Sequence, residues 1–412
     1  MSHHQSFGGT EFADTSAQAV TPGAAAPNVS YTAPRWNEPA KHSPRFYMAV
    51  AGFIVLALAA FVYLLPLLSV RGVGVTIFVA GLALLPVVVI LAFIRWVDEW
   101  EPEPSWLFAV AFAWGAGVAA LTSLIGNGVF AQTMATTAYL SEFQQEVLPI
   151  VVGAPLVEEA AKGVGVLVIY TVFRKYFNGP IDGLVYGMLV GLGFAFSENI
   201  LYFSEYYDQL GAVFQARAIE NPFIHPLATG LTGLFIGLAS DRKGFASLVS
   251  LGFIGYCSGV LVHGLHNYSA VTAMSSSTRF AFQLPIYMAM LWIIWYLRGK
   301  ERTDVSAVLA EYAAAGWLTH NELAMISKVS ARRSAVDWAG KNLASLGGHE
   351  EDGRRAMERF QEEVIRLGYN RHRELRQGSV NNPSNRAEEM RQLQLISYLR
   401  EVFTGRHIAS VW

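Results

Sequence analysis

The sequence predicts an all-α fold: a polytopic membrane helical bundle of about eight transmembrane helices, followed by a small helical cytoplasmic C-terminal region. Three observations predict it. Of the 412 residues, 53% are hydrophobic and 15% charged, whereas a soluble chain carries nearer a quarter charged residues. The apolar residues fall in blocks of about 18–26, the length that crosses a bilayer as a helix. After residue 302 the blocks stop, and half of all Lys and Arg lie in this last part of the chain, nearly balanced by Asp and Glu. The net charge of −2 points to no nucleic-acid partner. The single cysteine, Cys257, lies in an apolar block, so no disulfide framework is expected within the chain.

Residues 1–44 are rich in Ser, Thr, Ala, Gly and Pro and read as a disordered cytoplasmic tail. They lack the apolar stretch of a cleavable signal, and His3-His4 is too short to argue metal binding. The membrane core is expected over 45–298, with spans at 46–70, 74–96, 106–129, 147–173, 182–203, 223–240, 245–271 and 280–297. Between the second and third spans, residues 98–104 form an acidic loop that Pro102 and Pro104 keep out of helix. About ten basic residues, Lys41, Arg95, Arg174, Lys175 and Arg298 among them, fall on one side. Only Arg71, Arg217 and Arg279 fall on the other. The bias places both termini in the cytoplasm of a bacterial cell. In the C-terminal region, 299–412, Met357, Phe360, Val364 and Leu367 recur at helical spacing. A loop is expected at 381–385 around Pro383 and a helix at 388–403. No catalytic motif stands there, and the region is a candidate site for a cytoplasmic partner.

The functional signal lies inside the membrane. Glu158-Glu159-Ala160-Ala161-Lys162 sits mid-span, where each charge costs about 2.5–3.5 kcal/mol on insertion scales. Glu158 and Lys162 share a helix face, and Glu159 points about 100° away. A buried ion pair that only fixes packing is the plainer reading, but two carboxylates against one lysine leave a charge unmatched. On the fifth span Gly183, Gly187 and Gly191 form a small-residue stripe that lets another helix approach. Glu198-Asn199 follows, with Glu198 on the same side. On the seventh span Gly255, Gly259, His263 and Asn267 make a second stripe, with His266 beside it. His225 opens the sixth span before Pro226, with Thr229 one turn on. The expected topology brings all these residues to the outer half of the bilayer.

Carboxylates, histidines and an amide at one depth make a hydrolytic set. A glutamate and a histidine can take a proton from water, and His263 or Asn267 can donate to the oxyanion of an attacked carbonyl. Glu159, His225 and His263 also suit Zn²⁺ with water in the fourth position. No HExxH motif supports a metal, so metal-bound and metal-free chemistry both stay open, with no certain cofactor.

The acidic loop 98–104, Glu158-Glu159-x-x-Lys162, Asp182-Gly183-x-x-Tyr186-Gly187, Gly193-Phe194-x-x-x-Glu198-Asn199 and His263-x-x-x-Asn267 together resemble the PrsW family of intramembrane proteases. The resemblance covers about residues 45–297. It implies a helical bundle shared with CAAX prenyl endopeptidases and bacteriocin-immunity proteins. It further implies cleavage of a membrane-anchored protein, an anti-sigma factor in the founding branch, on the extracytoplasmic side at the start of a stress response. Carried over, Glu158 and Glu159 are general bases assisted by Glu198, and His263 with Asn267 stabilises the oxyanion or binds metal. Lys162, Asn199 and His225 are accessory. The prenyl-protease branch has histidine where this chain has Glu198, and the tail after Arg298 lies outside the shared core. Two other functions compete. A non-catalytic scaffold or immunity-type binder of the same fold would tolerate loss of Glu158, Glu159 and His263. A proton-coupled transporter would want a polar ladder across the bilayer rather than one level.

Overall fold

The computed structural model describes residues 44–406 apart from 241, 243 and 273. The expected N-terminal tail, His3-His4, Lys41 and Lys243 lie outside the described residues. Every described element is helical, as the sequence predicts.

Helix α1 (Pro44–Val97) is one 54-residue run with a break at Gly72, whose φ of 77° is available to glycine at little cost. That break falls between the first two expected spans. After the acidic loop come α2 (Ser105–Ala113), a π-helical turn at Trp114–Ala119 and α3 (Ala120–Ala135). This run passes the expected end at residue 129. Ser197 Oγ donates to the Ala116 carbonyl of the π turn at 2.7 Å. Helix α4 (Glu142–Leu148) opens on a capping box in which Ser141 and Gln144 satisfy each other's backbone N–H. A second π turn, Pro149–Gly153, leads into α5 (Ala154–Val172), which carries the two glutamates. The expected fourth span is therefore not one regular helix. Pro155 has no N–H to give the Val151 carbonyl, so the helical ladder cannot continue evenly through this point.

Helix α6 (Pro180–Glu205) is the centre of the bundle, with 20 of its 26 residues buried. It is followed by α7 (Leu210–Phe214), a third π turn at Gln215–Glu220, α8 (Ile224–Ser240) and α9 (Phe245–Val271). Helix α10 (Ser276–Ala314) continues well beyond the end expected at residue 297. Six runs are long and apolar enough to cross a membrane: Leu58–Val97, Ser105–Ala135, Pro180–Glu205, Tyr207–Ser240, Phe245–Val271 and Ser277–Ala314. Two of the eight expected spans do not appear among them as separate helices. The first two lie end to end in one run that the non-helical Gly72 divides where they were expected to part, and α5 carries Glu158, Glu159 and Lys162, too many charges for its length.

The glycine stripes explain how the site is assembled. A Cβ on Gly183 would lie 2.1 Å from the Gly233 carbonyl, one on Gly187 2.4 Å from that of Thr229, and one on Gly191 2.3 Å from that of His225. Only glycine permits this approach of α6 to α8, whose own Gly233 and Gly237 face back. The contact sets His225 and Thr229 in register with α6. On α9 a Cβ at Gly259 would lie 2.7 Å from the Ala228 carbonyl, so α9 closes on the other side of α8. These two stripes bring three distant helices to backbone distance.

The described chain forms two compact units, 44–302 with 373–379, and 303–372 with 380–406. The second is built from the end of α10, α11 (His320–Ile326), α12 (Val329–Ser345), α13 (Glu350–Gln377) and α14 (Pro383–Thr404). Met357, Phe360, Val364 and Leu367 are buried on α13, as their spacing predicts. The expected loop at 381–385 is shorter than predicted. Asn382 caps α14 by accepting from the Ser384 N–H, and Pro383 takes the first helical position, where its missing N–H costs nothing.

Candidate active site

Six side chains from four segments of the membrane unit meet in one buried cluster. Glu158 and Glu159 come from α5, Lys162 from one turn further on, Glu198 from α6, His225 from α8 and His263 from α9. Lys162 is fully buried and is the centre of the cluster. Its ammonium donates to Glu159 Oε1 at 2.8 Å and to Glu158 Oε2 at 3.3 Å, and lies 3.1 Å from His225 Nδ1. It also stands 3.8 Å from the centre of the Phe194 ring, a favourable place for a cation.

These contacts decide both histidine tautomers, because an ammonium only donates and a carboxylate only accepts. His225 Nδ1 must accept from Lys162, so its Nε2–H donates to Glu198 Oε2 at 2.7 Å. Glu159 accepts from Lys162 and, at 2.9 Å, from Thr229 Oγ1. His263 Nδ1 must then donate to Glu159 Oε1, 3.0 Å away. In the neutral ring His263 Nε2 is then the acceptor, 3.9 Å from Glu158 Oε2. The other oxygen of Glu158 accepts from Asn127 Nδ2 at 3.0 Å. Two acceptors thus face each other with their orientations held from behind. Such a pair suits a group with two positive ends, a water molecule or a metal cation.

Not every predicted site residue joins the cluster. Asn267 donates instead to the Ile150 carbonyl of the second π turn at 2.8 Å, where it ties α9 to the segment before α5. Asn199 stands beside Glu198 but accepts from Arg217 Nε at 2.8 Å. Arg217 also pairs with Glu198 itself. His266 faces away, with Nδ1 2.8 Å from Gln283 Nε2 on α10. Asn127 was not expected. Its sequence signal is a single amide in the otherwise apolar stretch Leu124–Val129.

The group that the structure brings together differs at one position from the expected Glu159, His225 and His263. Ligand atoms of Glu158, His225 and His263 lie within 4.8 Å of one another, and all three residues are buried. Glu159 is instead occupied by Lys162, His263 Nδ1 and Thr229. A buried Glu-His-His set fits the donor chemistry of Zn²⁺. Lys162 already draws on two of the three, Glu158 Oε2 and His225 Nδ1. A metal on those same two atoms would exclude the ammonium from its present place.

Comparison with known proteins adds a second line. Residues 103–297 match the family model described as PrsW family intramembrane metalloprotease. This segment is PrsW-like. The chain is 28% identical over 230 residues to Protease PrsW of Oceanobacillus iheyensis, covering 55% of this chain and 95% of that protein. It is 25% identical over 229 residues to Protease PrsW of Bacillus subtilis, covering 55% of this chain and 95% of that protein. With Protease PrsW of Clostridioides difficile it shares 25% over 221 residues, 52% of this chain and 86% of the other. No solved structure matches the chain. The PrsW-like segment contains every member of the cluster.

Proposed function

We propose that this protein is a PrsW-family intramembrane endopeptidase that hydrolyses a peptide bond in a membrane-anchored protein, with water activated by Glu158 and His263. One observation carries the reading: the two acceptors, Glu158 Oε2 and His263 Nε2, face each other at 3.9 Å inside the apolar bundle. A water donating to both turns its lone pairs outward to a substrate carbonyl. On attack its proton passes to one of the two acceptors, the C–N bond breaks, and the same group returns the proton to the leaving amine. Glu159 keeps His263 in the accepting tautomer, Lys162 balances the paired carboxylates, and Glu198 holds His225. Zn²⁺ held by Glu158, His225 and His263 would polarise the carbonyl and make the water more acidic.

Resemblance and the proteins named Protease PrsW support a membrane protein as substrate, with an anti-sigma factor the first candidate. The basic-residue bias supports cytoplasmic termini and a site in the outer half of the membrane. The test is cleavage of a panel of single-pass membrane proteins by the full chain in detergent, with and without chelator. We expect Glu158→Ala and His263→Ala to lose about 10²–10⁴-fold in rate, the usual contribution of general acid–base groups. Equal cutting by the variants and the wild type overturns the reading. Solute uptake by vesicles holding the protein would favour transport instead.

A further inference from the structure

We infer that Arg217 is a positioning residue of the site, acting on His225 through Glu198. Arg217 lies in none of the motifs that mark the cluster. It sits on the π turn Gln215–Glu220, and Asn221 Nδ2 ties that turn by donating to the Ala216 carbonyl at 2.9 Å. From there the guanidinium is held on three sides. It pairs with Glu198, donates through Nε to Asn199 Oδ1 at 2.8 Å, and lies 4.1 Å over the Tyr202 ring. Glu198, Asn199 and Tyr202 lie within one turn of each other on α6. The planar fork of arginine suits this arrangement, since two different nitrogens reach two adjacent side chains.

The contacts run inward in a single line. Arg217 holds Glu198, Glu198 Oε2 accepts from His225 Nε2 at 2.7 Å, and His225 Nδ1 accepts from Lys162. Exposure falls along the line, from 23% for the Arg217 side chain through 15% for Glu198 to 6% for His225 and none for Lys162. Arg217 is thus the rim of the cluster, and the ion pair is its outermost link. This arrangement gives Glu198 a defined task. A carboxylate oxygen that accepts from both an arginine and an imidazole is placed to orient its neighbour. Orienting a histidine through its second nitrogen is how a carboxylate outside the reacting set influences it.

The kinetic test rests on the protease reading; the chemical test does not. In detergent, with the full chain and a single-pass substrate, Arg217→Ala lowers kcat by about 10–100-fold, the usual cost of losing an orienting partner, with KM little changed. In a Glu198→Gln background the same substitution adds less than about threefold, because residues in one network do not act additively. Arg217→Lys, which keeps the charge and loses the second hydrogen bond, recovers part of the rate. Equal losses in both backgrounds, or full activity of Arg217→Ala, overturn the inference. Carbethoxylation of His225 by diethyl pyrocarbonate, read by peptide mass spectrometry, needs no substrate. His225 reacts several-fold faster in Arg217→Ala and in Arg217→Lys than in the wild type, whereas exposed His320 is unchanged. Unchanged labelling of His225 in a folded Arg217→Lys protein overturns the inference, whether or not cleavage is found. Lost cleavage in the wild type with faster labelling in the variants overturns only the protease reading.

Discussion

The two ends of α6 pack against acids that the fold accommodates in opposite ways. Asp182 and Glu198 are sixteen residues apart on this helix, about 24 Å at 1.5 Å per residue. At the Glu198 end every carboxylate touches a cation or an imidazole: Glu158 and Glu159 touch Lys162, and Glu198 touches Arg217 and His225. At the Asp182 end, the two buried carboxylates of the acidic loop, Asp98 and Glu103, meet neutral donors. Tyr186 OH donates to Glu103 Oε2 at 2.6 Å, and the Glu103 N–H donates to Asp98 Oδ2 at 2.9 Å. Burial pushes Asp98 up to about 8; the Glu103 N–H opposes this and Asp182 adds to it. Burial also pushes Glu103 up to about 11, with repulsion from Asp182 and Glu101 adding to the effect. The cluster at one end is balanced by cations, and at the other Asp98 and Glu103 hold their protons. Removing a carboxylate from water is unfavourable in both places. What differs is the partner that the fold brings to it. A cluster that must accept a proton from water needs acceptors, and only the cation-balanced end supplies them.

The largest expected effect breaks the cation-balanced end. Lys162→Met leaves Glu158 and Glu159 buried without their counter-charge, which costs about 3–5 kcal/mol. Thermal unfolding in detergent measures it, and a melting temperature equal to wild type would show that the lysine does not balance the pair. Next is the contact that unites the two ends. Gly187→Ala places a Cβ 2.4 Å from the Thr229 carbonyl, and overpacking of this kind costs about 1–3 kcal/mol. The same change displaces Thr229 from Glu159, so cleavage falls more than the melting temperature alone would suggest.

The proton-balanced end gives a pH signature. Asp98 holds its proton more tightly folded than unfolded, so the stability it adds is complete below about pH 4 and is lost as the pH rises to about 8. Melting temperature should therefore fall across that window, and Asp98→Asn should flatten the fall. A slope identical to wild type would mean that Asp98 is ionised in the folded protein. The smallest effect concerns Asn127. Asn127→Ala removes one donor to Glu158, about 0.5–1.5 kcal/mol for a single hydrogen bond, and its loss should appear in cleavage rate with little change at the Asp98 end.

Much of the bundle was legible in the sequence. Block length and hydropathy marked the membrane helices, and helical spacing marked the buried face of α13. The glycines at 183, 187 and 191 announced a close helix contact without saying that α8 supplies it. The boundaries that misled have local causes. Pro155 interrupts the ladder before α5, and α10 runs through a change of composition because nothing in its sequence stops it. Within the site, Glu158, Glu159, Lys162, His225 and His263 stood out because charge and imidazole are costly in an apolar span. Asn127 and Arg217 did not. One is a lone amide, and the other resembles any basic residue near a helix end.

The sequence by itself determined which segments are apolar helices and which of them carry polar groups too costly to face lipid. Those are properties of one helix at a time. Only the tertiary structure decided which acceptor meets which donor. Glu159 and His263 lie 104 residues apart, and Lys162 and His225 lie 63 apart. Whether a carboxylate there holds a proton, a lysine or a histidine depends on helices that meet only when their glycine faces close.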